Sequence, residues 1–243
     1  TGICSAYGRH TDQGCGEMKF MQETDVLIIG QGLAGTWLSW WLEQAGVSCL
    51  IMDDADPGSA SKYAAGLINP VTGRRLVKTW MIEELMPFAW KSYSDMGSFL
   101  QTDLISETDV VDFFPTIQML QAFRKRYEED PTYLRMTKNL SGVRCEEYVN
   151  PQGAQEYESL FRFDLGWGAI HPCYLVKTEE LLKCWRGHLQ EKDYLRVETF
   201  EARNLVIGES AIEYSDIRSR HIVFCDGKHA ADSPFFEKLP FAL

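Results

Sequence analysis

DVLIIG, from Asp25 to Gly30, is a short unbroken apolar run that stops at a glycine. A half-buried strand would alternate apolar and polar positions, so an unbroken run predicts a strand covered on both faces, as in a parallel sheet. From Leu33 to Ala45 the period changes: Trp37, Trp40 and Trp41 fall at helical spacing, and Gly46 supplies a stop. SCLIMDD, from Ser48 to Asp54, repeats the apolar run. Strand, glycine turn, helix and strand within about 30 residues predict a βαβ unit with a right-handed crossover.

Beyond Asp54 the chain changes character. DADPGSASKYAAGLINPVTGRR is rich in small residues, Gly and Pro, and reads as a long loop of the kind that carries function in compact domains. A helix is predicted from Met81 to Gln101, bent near Pro87. From about Thr102 to His171, strand-like pieces (VVDFFPTIQML, GVRCEEYVN, GWGAIH) alternate with short charged helices such as AFRKRYEED, whose run Arg124 to Asp130 reads as a solvated face. YLVKTEELLKCWRGHLQEK, from Tyr174 to Lys192, predicts an amphipathic helix. A strand in YLRVETF, a meander in LVIG and AIEYS, and a further buried strand in HIVFCDG, His221 to Gly227, follow it.

Composition narrows the function classes. Of 243 residues, 45% are apolar and 12% aromatic, which is ample for a core. The net charge of −11 repels phosphate backbones, so no nucleic-acid partner is expected. No run approaches the roughly 20 apolar residues of a membrane span, since even the stretch from Thr36 to Leu42 is stopped by Glu43 and Gln44; a soluble protein is expected. Seven scattered cysteines (Cys4, Cys15, Cys49, Cys145, Cys173, Cys184, Cys225) form no CxxC pair and suit a reducing compartment. The first 17 residues lack the apolar segment of a signal peptide, so the expected location is the cytoplasm.

The sharpest motif is GQGLAG. Gly30, Gly32 and Gly35 follow the GxGxxG pattern, with Leu33 and Ala34 between the last two. Placed between a buried strand and a helix, the first glycine permits the turn, the second lets backbone approach a pyrophosphate, and the third lets helix pack on strand. Amides at the helix start, at its positive dipole end, then hold the phosphates. The acid expected about 20 residues later is Asp53, where a carboxylate can accept both ribose hydroxyls, with Asp54 as fallback. Such a unit serves either NAD or FAD. GxxxxGK[ST], HExxH, GxSxG and EF-hand patterns do not occur, and His10, His171, His188, His221 and His229 have no ligand spacing, so no metal is expected.

The segments VLIIGQGLAGTWLSWWLEQAG, SCLIMDD, GSASKYAAGLINP, HPCYLVKTEELL and HIVFCDGKHA together resemble the FAD-dependent oxidoreductase family that includes D-amino-acid and glycine oxidases, across most of residues 22–243. The resemblance implies an α/β fold: a Rossmann-like three-layer FAD/NAD(P)-binding domain from residues 21–90 and 172–243, with an inserted, partial α+β substrate domain at 91–171 and a polar extension at 1–20. It implies FAD as cofactor, with Ser59, Ser61, Lys62, Ala64, Ala65 and Gly66, followed by Leu67, along its ribityl and isoalloxazine end, and Gly227 near the dinucleotide. Small residues suit backbone lying against a flat ring. Tyr63 stands where some relatives carry the histidine that links flavin covalently, so noncovalent FAD is expected; a cysteine linkage near the C-terminus stays open.

The implied substrate is an amine or amino acid, oxidised at its C–N bond by hydride transfer to flavin. The acceptor is oxygen, a quinone or another protein, as no second GxGxxG marks a nicotinamide domain. The cofactor supplies the chemistry, so no catalytic residue is assigned. Arg74, Arg75 and Lys78 are candidates to hold a substrate carboxylate, or equally to neutralise an acidic surface. The chain stops at KLPFAL, where family members continue the substrate sheet, so a C-terminally truncated family member without turnover of its own is expected. Two other readings stand beside the oxidase: the flavin domain of a tRNA-wobble-uridine modifying enzyme, against which the net charge of −11 argues, and a fragment that binds FAD or a partner without turnover.

Overall fold

The computed structural model describes residues 21–73, 75–136 and 165–239. The extension at 1–20, Arg74 and the GVRCEEYVN piece lie outside the described residues.

The βαβ unit is present. β1 (Gln22–Ile29) and β2 (Cys49–Met52) pair in parallel, with Val26 opposite Cys49 and Ile29 opposite Met52. The apolar runs are unbroken because both faces of the sheet are covered. Val26, Ile28, Cys49 and Ile51 join one core cluster, and Leu27, Ile29, Leu50 and Met52 another. Between them α1 (Leu33–Gln44) ends at Gly46, whose φ of 70° is the left-handed conformation a helix stop requires. The Gly46 amide donates to Glu43 O and the Val47 amide to Leu42 O, the paired bonds that satisfy the last helical carbonyls.

The chain continues through β3 (Leu67–Ile68), β4 (Val71–Thr72), β5 (Val77–Lys78), α2 (Ile82–Leu100), β6 (Ile105–Phe113), α3 (Ile117–Glu129) and β7 (Leu134–Met136). After residue 164 come β8 (Trp167–Val176), α4 (Thr178–Glu191), β9 (Leu195–Arg196), β10 (Leu205–Ile207), β11 (Ile212–Tyr214) and β12 (Ile217–Phe224). The first sheet runs β10-β11-β12-β1-β2-β9, with β12, β1, β2 and β9 parallel and β10 and β11 antiparallel. α1 and α4 cover one face, where Trp40 and Trp185 meet edge to face at 5.6 Å; Phe200 and Tyr214 pack on the other. A second, antiparallel sheet pairs β8 with β3, β6 and β7, and α3 packs on it through Leu120 and Phe123. Among the described residues no helix is long and apolar enough to cross a membrane.

Several segments differ from their sequence pattern. VVDFFPTIQML divides at Pro115: its strand ends at Phe113, and Thr116 caps α3 by accepting from the Met119 amide at 3.3 Å. Tyr174, Leu175 and Val176 belong to β8, because β6 and β3 offer them partners, and the helix starts at Thr178. YLRVETF keeps only Leu195–Arg196 as strand. β12 begins earlier, at Ile217, and exposes Arg218, Arg220 and His221, so its first half alternates rather than being buried on both faces.

Candidate functional site

The C-terminal ends of β12, β1 and β2 open into a cavity of about 920 Å³. A parallel sheet places its ligand crevice there, where loops diverge beyond the strand ends. Its wall is built from the Gly30–Gly32 turn, residues 53–57 after β2, residues 59–63, residues 225–229 after β12, and Leu182, Lys183 and Arg186 on α4.

The three glycines have different reasons. Gly30 has a φ of 98°, and a Cβ there would stand 2.5 Å from Cys225 O. A Cβ on Gly35 would overlap Gly30 O. Both positions let neighbouring backbones meet. At Gly32 a Cβ would meet only the Ser61 side chain, with Oγ at 3.0 Å, so its smallness keeps space at the cavity wall. Ser61 Oγ accepts from the Leu33 amide at 3.1 Å. Gly32 contributes no side-chain cap and the first turn of α1 has no acidic residue, so beyond Ser61 Oγ on the Leu33 amide the first turn adds no negative charge of its own to the positive end.

Asp53 sits at the end of β2 with both carboxylate oxygens engaged. Oδ2 accepts from the Gln31 amide at 2.8 Å, and Oδ1 from the Ala55 amide at 3.0 Å and Arg186 Nη1 at 2.7 Å. Burial pushes this carboxyl up, but the Gln31 amide, the Arg186 guanidinium and the Ala55 amide outweigh it and hold the group below the usual carboxylate range. A carboxylate offers about four acceptor positions. Three are occupied, by the Gln31 and Ala55 amides and Arg186, and Oδ2 keeps an open position. Asp54 is exposed and accepts from the Asp56 amide at 3.0 Å.

On the far rim, Asp56 accepts from the Gly58 amide at 2.7 Å and pairs with Lys228 Nζ at 2.9 Å. Lys228, with the Gly58 amide, lowers its carboxyl to about 2. Lys62 Nζ donates to Ala55 O at 3.2 Å and Asp56 O at 2.7 Å, so its charge braces this loop. Gly227, with a φ of 57°, forms an exposed turn beside Lys228.

The structure therefore gathers Gly30, Gly32, Asp53, Asp54, Ser61, Lys62 and Gly227 on one cavity. Leu33, Ala34 and Gly35 stand behind its turn as the start of α1. Ala64 and Ala65 are exposed and continue from Tyr63 at the rim. Gly66, with a φ of 70°, leaves no room for a Cβ against Val176 O, and Leu67 enters β3 opposite Leu175. Arg75 lies on the exposed β4–β5 turn, apart from the cavity wall, and Lys78 pairs with Glu83 at 2.6 Å and Asp130 at 3.4 Å. Among the site residues that escaped the sequence reading are Gln31 and Arg186. Gln31 occupies the variable place of the glycine motif. Arg186 carried a usable signal: it falls four positions after Leu182 and three before Leu189, on the stripe of α4 that is otherwise buried.

Solved structures with a similar fold include an L-amino acid deaminase from Proteus myxofaciens in complex with anthranilate, at 16% identity and a TM-score of 0.59, covering 86% of this chain and 46% of that one. A glycine oxidase from Geobacillus kaustophilus matches at 15% identity and 0.62, covering 86% and 57%. An iminodiacetate oxidase from Chelativorans sp. BNC1 matches at 18% and 0.59, covering 85% and 56%. The chain spans about half the length of these structures. At such identities the likeness is one of fold. The sequence itself matches the DAO family model, described as FAD dependent oxidoreductase, over residues 25–239. That match runs from β1 to beyond β12 and takes in the whole glycine turn and Asp53, so the chain belongs to the DAO family of FAD dependent oxidoreductases.

Proposed function

We propose that this chain holds FAD noncovalently in the 920 Å³ cavity and serves the oxidation of a C–N bond in an amine or amino acid. The observation that carries the reading is the convergence of the Gly30–Gly32 turn, the open start of α1, Asp53 and Ser61 on one cavity at the strand ends. Its volume lies within the range of about 300–1,000 Å³ for cofactor sites. A wall that a Cβ on Gly32 would narrow, and a helix whose own first turn carries no acidic residue, suit a pyrophosphate. The substrate class is supported by the similar structures, which are named as amino acid deaminases and as oxidases of glycine and iminodiacetate.

Each residue has a physical role in this reading. Amides at the start of α1 hold the diphosphate, and Asp53 accepts one ribose hydroxyl through the free position on Oδ2. Ala64 and Ala65, small and exposed beside the rim, leave a flat ledge for the ring system. Tyr63 supplies no histidine nitrogen for a covalent bond. When bound, FAD supplies the oxidising chemistry by accepting hydride from the carbon that bears the amine.

An absorbance spectrum with acid precipitation tests the reading. Purified protein should be yellow with flavin bands, and acid should release the colour into the supernatant. Colour retained in the pellet would overturn noncovalent attachment, and protein that stays colourless when FAD is supplied would overturn the cofactor assignment. Anaerobic bleaching of the bound flavin by D- or L-amino acids, glycine or sarcosine tests the substrate class. A flavin that none of them bleaches counts against C–N oxidation by this chain.

A further inference from the structure

Arg186 combines features that packing alone does not account for. It stands on the stripe of α4 between Leu182 and Leu189, both buried, and lines the cavity. Its Nη1 donates to Asp53 Oδ1 at 2.7 Å and to Gln31 Oε1 at 2.8 Å. Gln31 is itself buried, donating Nε2 to Thr36 Oγ1 and Leu182 O, both at 3.2 Å, and its amide to Asp53 Oδ2. One guanidinium thus ties α4 to the glycine turn and the end of β2. Its Nη2 is buried and has no hydrogen-bond partner among the described residues.

Removing a carboxylate and a guanidinium from water costs free energy that an apolar pair of similar volume avoids. Such a pair is weak evidence for stability, and what distinguishes it here is what it does to Asp53. A diphosphate ligand is anionic, and an uncompensated carboxylate on the wall of its site would repel it. Of the other cations on the cavity wall, Lys62 is committed to the carbonyls of Ala55 and Asp56, and Lys228 to the Asp56 carboxylate. Arg186 cancels the charge of Asp53 while engaging only Oδ1, so the free acceptor position of Oδ2 survives.

We propose that Arg186 is a positioning residue for the adenosine half of the dinucleotide: it orients and neutralises Asp53 so that this carboxylate accepts a ribose hydroxyl beside an anionic diphosphate. The proposal rests on the FAD reading above and assigns Arg186 a share of the affinity for the ADP half alone. Lysine replaces the charge, but its ammonium on a flexible stem lacks the rigid guanidinium plane that holds Nη1 between Asp53 and Gln31.

The test uses the full chain as parent, Arg186→Met, Arg186→Lys, Asp53→Asn and the Asp53→Asn/Arg186→Met double variant. Dissociation constants are measured for FAD, for ADP as the adenosine half and for riboflavin 5′-phosphate as the flavin half, with the urea midpoint of the apo protein as a control. Arg186→Met should weaken FAD and ADP by roughly 10- to 100-fold, as for a lost charge-assisted contact, and leave the flavin half unchanged. Arg186→Lys should recover part of the ADP affinity, and the double variant should lose little more than either single one. Equal losses for ADP and the flavin half would make Arg186 merely structural and overturn the proposal, as would unchanged ADP binding. Should Arg186→Met fail to fold, Arg186→Lys decides by the same comparison of the two halves. A parent that binds no FAD sinks the cofactor reading itself, and the proposal with it, whereas a parent and Arg186→Met that bind FAD equally sink only the proposal.

Discussion

A Cβ placed on Gly35 would overlap the carbonyl oxygen of Gly30, so the third glycine of the motif is demanded by α1 lying against the end of β1. The same carbonyl-to-glycine logic joins Gly30 to Cys225 at the end of β12. Gly32 differs, because its φ of −73° is open to any residue and only the Ser61 side chain stands nearby. Gly35→Ala should therefore destabilise the apo protein by about 2–3 kcal/mol through overpacking. Gly32→Val should leave apo stability within about 1 kcal/mol of the parent and abolish FAD binding. Urea melts and FAD titrations of both variants check this, and parental affinity in Gly32→Val would reduce the motif to a structural turn.

Ser39 and Trp185 couple α1 to α4 in the centre of the core. Trp185 is fully buried, its Nε1 donates to Ser39 Oγ at 2.8 Å, and Ser39 donates onward to Thr36 O at 2.9 Å. Ser39→Ala removes the only acceptor recorded for that indole nitrogen among the described residues. The expected cost is about 1–3 kcal/mol, read from the urea midpoint, because a buried donor is left unsatisfied.

Acid should weaken the fold through Asp53 and Glu43. Burial pushes the Glu43 carboxyl up, and hydrogen bonds from Lys192 and His188 bring it below its ordinary value, as the donors around Asp53 do there. A carboxyl whose folded pKa is depressed contributes stability above its unfolded value of about 4, and this is lost as pH falls through the folded value. Apo stability should stay level from about pH 7 to 5 and fall below about pH 4. Glu43→Gln and Asp53→Asn should each shallow that fall; denaturation curves across this range that are identical for parent and variants would exclude the two groups as its cause.

Buried thiols predict the opposite limb. Burial pushes Cys49 and Cys173 up to about 11, with Glu43 and Asp109 adding to the shift. Unfolded thiols ionise near about 8.5, so stability should be lost as pH rises from there through about 11. At pH 8 iodoacetamide should spare Cys49 and Cys173 in the folded protein and reach Cys184, which is partly exposed, before them. Peptide mass mapping with and without urea measures this order.

Much of the fold was legible in residues 25–54 because burial and period are local properties. Val26–Ile29 and Cys49–Met52 are apolar at every position, and only a sheet covered on both faces can bury such runs. Gly30 and Gly35 announced the close approach of backbones that the structure contains, and the acid of Asp53 fell at the strand end where the cavity opens. Pro115 and Thr116 held the signal that divides VVDFFPTIQML, but a β-rich stretch hid it.

What the chain pattern could not carry was the choice of partners between distant segments. Tyr174–Val176 fit a helix by period and became strand because β6 and β3 presented unpaired edges to them. Arg186 lies 133 positions from Asp53, and the bond between them exists only because α4 packs beside β1 and β2. The sequence by itself determined the βαβ unit, its glycine turn and the acid at its rim. Tertiary structure alone decided that this acid would be three-quarters occupied and neutralised, because hydrogen-bond partners are selected by long-range packing and a linear pattern encodes only which face of each element is buried.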